Sequence, residues 1–207
     1  MSKFWTLAFL LSFFSTSSWA RSWDHHYFQI AGGVGLPSIE IKNPDDTTAY
    51  YSGLQFEGKA IFPILAGDLM ALSGSLGFKY IDLENTANSS TQKEISTHKG
   101  FGAGLNFSFG RFALFADYHQ LKADSTSTGA IVSNSSYEYS PLTYGLVLKI
   151  PKRSFSFDLG YSISSATLEA KETGLSEDVD LKGQTFFIHF TWNAGASFGR
   201  IVSETIE

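Results

Sequence analysis

Apolar and polar residues alternate along most of this chain. The alternation forms eight runs, at 27–36, 54–64, 69–81, 98–109, 112–121, 142–150, 155–164 and 183–192. Successive side chains of a β-strand point to opposite faces, so each run predicts a strand with one apolar and one polar face. We therefore predict an all-β protein in which residues 21–192 form a single unit of eight strands.

The two faces of these strands differ in charge. In the first and last runs the apolar face consists of Phe28, Ile30, Val34, Leu36, Phe186, Ile188, Phe190 and Trp192. The apolar faces carry no ionisable residue, whereas a sheet surface in water would carry charge. The opposite faces are rich in small residues such as Gly100, Gly102 and Gly104, which suit the crowded interior of a narrow barrel. The pattern predicts an eight-stranded antiparallel up-and-down transmembrane β-barrel with lipid outside and polar groups inside.

The predicted inward face carries equal numbers of acidic and basic residues. They are Glu57, Lys59, Lys79, Asp117, Lys149 and Asp158. Buried charges are tolerated when they are paired and hydrogen-bonded, so we predict an ion-pair network inside the barrel. Eight strands enclose a space that side chains can fill, and we therefore expect a lumen closed to solutes. A small-solute channel is an alternative interpretation.

Short and long connections alternate along the chain. The short ones span 65–68, 110–111 and 151–154, and the long ones span 37–53, 82–97, 122–141 and 165–182. Small outer-membrane barrels have short turns in the periplasm and longer loops outside the cell. We expect the four long segments to face the exterior and both chain ends to face the periplasm. Acidic residues outnumber lysines in these loops. This excess of negative charge either keeps the loops solvated or binds divalent cations that bridge to lipopolysaccharide phosphates.

Aromatic residues gather near both ends of the predicted strands. Those next to the short turns include Phe62, Phe109, Phe112, Phe155 and Trp192. Those toward the long loops include Tyr80, Tyr118 and Tyr161. Because aromatic rings are enriched at membrane interfaces, these two groups predict girdles at the two surfaces of the bilayer.

The first twenty residues differ from the rest of the chain. Lys3 precedes an apolar stretch from Phe4 to Phe14, and small residues flank Trp19. This arrangement is typical of a secretory signal peptide, for which we expect cleavage near Ala20. We expect residues 193–207 to form a short periplasmic tail.

The composition of the chain limits which cellular compartment and which kinds of partner we expect. The chain contains no cysteine, although an exported protein meets an oxidising environment, so its stability must have a source other than disulfides. Its formal net charge of −5 does not favour a nucleic-acid partner. We expect contact with outer-membrane lipids and lipopolysaccharide, and an external partner for the loops.

The last strand carries the motif Gly183-x-x-Phe186-x-Ile188-x-Phe190-x-Trp192. With the hairpin rhythm, this motif resembles the terminal strand of small OmpA/OmpX-type outer-membrane barrels. The resemblance covers the predicted mature chain and implies a stand-alone barrel recognised by the barrel-assembly machinery. The chain departs from the family where Asn193 to Glu207 continue beyond this strand without a terminal Phe.

Few residues suggest chemistry. Asp117 and His119 share a strand face, and an Asp-oriented His is half of a general-base arrangement. The pair points inward, away from lipid, so a lipid A modifying enzyme is our alternative rather than our leading hypothesis. The adjacent pair His25 and His26 is a weak metal signal without further ligands. We expect no cofactor, no metal and no enzymatic activity, and a structural or surface-interaction role in adhesion or envelope integrity.

Overall fold

A computed structural model of the chain describes residues 28–42, 48–66, 70–85, 93–128, 133–152, 155–169 and 178–193. The expected signal peptide, the histidines His25 and His26 and the tail 194–207 lie outside these residues. No helix within the described ranges is long and apolar enough to cross a membrane.

The described residues form nine strand segments. They are β1 (Gln29–Lys42), β2 (Thr48–Ala66), β3 (Met70–Asn85), β4 (Lys93–Phe109), β5 (Phe112–Thr128), β6 (Ser133–Tyr139), β7 (Leu142–Lys152), β8 (Phe155–Leu168) and β9 (Val179–Asn193). Consecutive segments pair antiparallel from β1 to β5 and from β7 to β9, and β9 pairs with β1 to close the sheet.

Segments β6 and β7 are two parts of one barrel strand. Both pair with β5, and the pairs Leu121 with Tyr139 and Tyr118 with Leu142 belong to one continuous register. Ser140 and Pro141 interrupt the strand because proline has no N–H to donate to the ladder. The carbonyl of Pro141 still accepts a bond from the backbone N–H of His119 at 3.2 Å. The predicted closed antiparallel barrel of eight strands is therefore confirmed.

The strands run well beyond the ends that the alternation predicted. The predicted long connections at 37–53, 82–97, 122–141 and 165–182 are wrong in length, since β1 reaches Lys42 and β2 begins already at Thr48. In these extensions the outward side chains become polar and the inward ones apolar. Ile39, Leu83 and Leu181, for example, all face inward and are buried. The extended part is built like a barrel in water, which places apolar groups inside.

An apolar band surrounds the other half of the barrel. The side chains exposed there are large and hydrophobic, as with Leu105, which is 53% exposed, and Leu146, which is 48% exposed. A contiguous exposed surface of this kind needs an apolar environment, because soluble monomers rarely expose large apolar patches. The band thus has the character of the lipid-facing belt of a membrane-spanning barrel.

A two-residue turn joins β4 to β5 at the end of the barrel that bears this band. Gly110 has a φ of 55°, a conformation that glycine adopts without steric cost. Phe109 and Phe112 face each other directly across the hairpin. The turn matches the minimal connection that the sequence predicts at this point.

Candidate functional site

The centre of the lumen is occupied by a buried charge cluster around Lys59. Its ammonium lies 2.6 Å from Oε1 of Glu57 and 2.5 Å from Oδ2 of Asp117. Glu57 and Lys59 are two residues apart on β2 and therefore share its inward face. The ammonium also lies 4.8 Å from the ring centroid of Phe115, close enough for a cation–π contact.

The contact between Lys59 and Asp117 spans the lumen. These residues belong to β2 and β5, which β3 and β4 separate in the barrel. A second contact crosses the interior between Phe115 on β5 and Phe187 on β9, whose rings meet edge to face at 5.8 Å. The ionic contact and the aromatic contact therefore cross the lumen in two different directions, and their side chains occupy its cross-section.

Glycines on β4 make room for the larger side chains of β5. Gly104 lies opposite Asp117, and Gly102 lies opposite His119. A methyl group added at either glycine would overlap the facing side chain. Gly102 and Gly104 are thus explained by close approach of side chains of the neighbouring strand, and at Gly100 an added methyl would meet the backbone of that strand.

The cluster is smaller than the six-residue network that the sequence predicts. Lys79 is buried opposite Glu57 in the β2–β3 register, but the described basic side chains within 4.0 Å of the Glu57 carboxylate are Lys59 and, at 3.9 Å, the imidazole of His189. Lys149 is half-buried opposite Asp158. Asp158 instead accepts hydrogen bonds from hydroxyl groups.

These hydroxyl donors fix Asp158 near the turn end of the barrel. Ser156 and Thr191 each donate to one of its carboxylate oxygens at 2.7 Å. Ser156 lies two residues before Asp158 on β8, and Thr191 lies on the neighbouring strand β9. The inward acids and bases therefore divide into a cross-lumen ionic cluster and a separate hydroxyl-bound carboxylate.

The predicted Asp–His arrangement does not form. Asp117 accepts bonds from Lys59 and, at 3.4 Å, from Ser75, and neither ring nitrogen of His119 has a hydrogen-bond partner. His119 is 1% exposed and lies inside the barrel. Its imidazole is consequently neither oriented by a carboxylate nor open to lipid.

The predicted interface aromatics all lie on outward strand faces. At the turn end, Phe155 stacks on Phe190 with centroids 5.0 Å apart and pairs in register with Trp192. At the other end, Tyr161 donates a 2.8 Å hydrogen bond to Gln184 and packs against Phe186. The remaining members of the two predicted girdles are Phe62, Phe109, Phe112, Tyr80 and Tyr118.

The extension encloses a second buried cluster, which we call the outer chamber. Its walls are Ile39, Tyr51, Ile81, Leu83, Leu121, Ala123, Tyr139, Leu168, Val179 and Leu181. Sequence reasoning missed this chamber, because it places most of these residues in loops and only Ile81 and Leu121 at the ends of predicted strands. The available signal is a change of parity, because apolar residues move to the inward face beyond the end of the apolar band that is opposite the short turns.

Polar side chains inside the outer chamber are hydrogen-bonded to one another. His98 contacts the hydroxyls of Ser96 at 2.7 Å and Tyr139 at 2.8 Å through its two ring nitrogens. Burial lowers the pKa of His98 to about 4, so the ring is neutral at physiological pH. Glu94, which the sequence placed in an external loop, accepts bonds from Tyr51 at 2.8 Å and Ser125 at 2.6 Å.

Burial also changes the pKa values of tyrosines in the chamber, whereas side chains on the outer surface of the extension are exposed to water. Desolvation raises the pKa of Tyr137 to about 12, with a further contribution from the nearby charge of Glu94. On the outside, a hydrogen bond from Ser136 lowers the pKa of Asp124, and Lys122 and Lys99 act in the same direction. Ionisable side chains thus ring the barrel just beyond the apolar band.

A closed eight-stranded barrel with an apolar outer band and a packed polar lumen is the architecture of small outer-membrane barrels. The chain has the fold of this class. No protein-family model matches the sequence, and no curated protein matches it either.

Solved structures share the fold at low sequence identity. The attachment invasion locus protein Ail of Yersinia pestis is 11% identical, with a TM-score of 0.51 over 80% of this chain and 99% of that one. The same protein in complex with the heparin analogue sucrose octasulfate gives 12% identity and a TM-score of 0.50 over the same shares. Neisserial surface protein A is 11% identical with a TM-score of 0.49, over 80% of this chain and 96% of that one.

Proposed function

We propose that this protein is a non-enzymatic outer-membrane barrel whose lumen is closed to solutes. It acts in adhesion or envelope integrity through its rim, which is the outer surface of the strand extension. The observation that carries the proposal is the ionic contact between Lys59 and Asp117 across the lumen. In a barrel that is blocked at its centre, the extension and the outer surface are the parts available for interaction with other molecules.

The packing of the interior supports a closed lumen. Lys59 is held by two carboxylates and lies over Phe115, so moving it aside would leave buried charges without partners. Breaking a buried pair in this way typically costs about 3–5 kcal/mol. Thermal energy is small compared with this cost, so the side chain of Lys59 rarely moves aside to open the lumen.

Planar-bilayer recording tests the closed lumen directly. We expect the purified barrel to give no current, or only rare and small events. Stable porin-like conductance would overturn the proposal. Lys59→Met serves as a comparison, because a conductance seen only in that variant would show that the cluster is the block.

A lipid A modifying enzyme is the alternative from the sequence. It requires a catalytic group that reaches lipid, whereas His119 is enclosed in the lumen and lacks a polar partner. Mass spectrometry of lipid A from cells with and without the protein separates the two hypotheses. We expect identical acylation, and a change that His119→Asn abolishes would reverse our preference.

The charge of the rim indicates which partners suit it. The acids on the outward face of the described extension are Glu40, Asp82, Glu84, Asp124, Glu138, Glu169, Asp178 and Asp180. The lysines there are Lys42, Lys99, Lys122 and Lys182. This surplus of negative charge disfavours a polyanion of the kind solved with Ail. Partners that are cationic, or that bind phosphates through divalent ions, fit better.

A pull-down with the intact barrel in the presence and absence of divalent cations tests this surface role. Lipopolysaccharide retained only with the cations would support cation bridging. Strong binding to heparin at physiological salt would contradict the assignment of an acidic rim.

A further inference from the structure

The outer chamber contains a cavity of about 190 Å³. Its lining is mostly apolar and includes Leu83, Leu168, Val179 and Leu181. Glu94, His98 and Tyr137 also line it. We propose that this cavity binds a small organic cation, consisting of an ammonium group on an apolar body about the size of one aromatic ring.

The volume sets the size of the ligand. An apolar cavity of about 150 Å³ in another protein is large enough to bind benzene. The cavity here is somewhat larger, so a single ring with one substituent fits. Two further cavities in the described part of the lumen, about 40 Å³ and 20 Å³, have room only for water.

The charge of the lining selects a cation. Glu94 is held by the neutral hydroxyls of Tyr51 and Ser125, and no described side chain brings a positive charge within 4.0 Å of it. A carboxylate has more acceptor sites than these two bonds use. It can therefore accept a further, charge-assisted bond from an ammonium, which is stronger than a bond between neutral groups.

The remaining polar groups of the lining do not compete for this role. Both nitrogens of His98 are occupied by Ser96 and Tyr139, so the imidazole supplies shape and packing rather than charge. The rings of Tyr51 and Tyr137 border the same cavity, and aromatic faces attract cations. The lining thus combines one carboxylate, two aromatic rings and aliphatic walls.

Methyl NMR of the barrel in phosphatidylcholine nanodiscs tests the proposal with benzylammonium as the probe. We expect saturable shifts of the methyl signals of Leu83, Leu168, Val179 and Leu181. The lipid-facing Leu105 serves as the internal control, because partition of the probe into lipid would shift it without saturation. Benzyl alcohol has the same apolar body without the charge, and we expect it to bind about tenfold more weakly. Benzoate should not bind.

Two variants assign the site. Glu94→Gln keeps the shape and should weaken benzylammonium about tenfold while leaving benzyl alcohol unchanged. Glu138→Gln removes a charge from the outer surface and should change neither. Val179→Phe fills the cavity and should abolish binding of both probes, which keeps the test decisive if Glu94→Gln does not fold.

The proposal is overturned if benzylammonium gives no saturable shift at the chamber methyls. It is equally overturned if benzyl alcohol binds the unsubstituted protein as tightly as benzylammonium does. Neither result bears on the closed lumen, since the cavity lies on the outer side of the cluster around Lys59.

Discussion

Lys59 and Asp117, 58 residues apart in the chain, meet inside the barrel at 2.5 Å. The contact joins two strands that are not neighbours, so it ties the wall together across its interior rather than along a hairpin. Hairpin pairing is local, whereas this contact requires the sheet from β2 to β5 to curve around the lumen.

We expect Lys59→Met to lower the free energy of unfolding by about 3–5 kcal/mol, because it leaves Glu57 and Asp117 buried without their cation. Urea unfolding in lipid vesicles measures the loss. Lys122→Met is the matched control on the outer surface, where we expect a change below about 1 kcal/mol. Similar losses for the two variants would contradict a special role for the buried pair.

Two glycine substitutions test the close approach of β4 and β5. Gly104→Ala should destabilise the barrel by about 1–3 kcal/mol, because the added methyl would overlap the side chain of Asp117. Gly58→Ala is the control, since an added methyl there meets no atom within 4 Å. We expect that variant to be neutral or slightly stabilising, and equal losses in both would mean that strand propensity, not packing, decides.

His98 predicts a pH dependence of stability. Its pKa is about 4 in the folded barrel, below the ordinary value of 6.5, so the unfolded chain binds the proton more tightly. Stability from this group is complete above pH 6.5 and is lost as pH falls toward 4, by about 3 kcal/mol at most. Unfolding measured between pH 4 and 8 should show this decline in the unsubstituted protein and a flatter profile in His98→Gln. A decline of the same size in that variant would assign the effect to other groups.

Cysteine labelling tests the apolar band, and the absence of native cysteine makes it direct. Cysteine placed at Leu105 or Leu146 should resist a water-soluble thiol reagent in intact envelopes, because lipid covers both positions. Glu138→Cys on the outer surface of the extension is the control and should react. Ready labelling at Leu105 would show that the band does not face lipid.

Most of the barrel could be predicted from the alternation of residues. Parity alone assigns Ile30 and Ile188 to the lipid face, and Glu57 and Lys59 to the lumen. This works because side-chain direction along a strand is a local property, and because the preference for lipid or water belongs to each residue separately. The turn at Gly110 was likewise readable from its immediate neighbours.

Tertiary structure decided what depends on the closure and register of the barrel. The alternation could not tell that Asp117, rather than Asp158, is the cross-lumen partner of Lys59, since that choice depends on which strand levels coincide in the closed sheet. It also did not reveal where the strands end. Beyond the apolar band the outer environment changes from lipid to water, so apolar residues such as Val179 turn inward and polar ones turn outward. That reversal resembles a loop in the sequence, and only the paired strands of the extension identify it as the wall of a chamber.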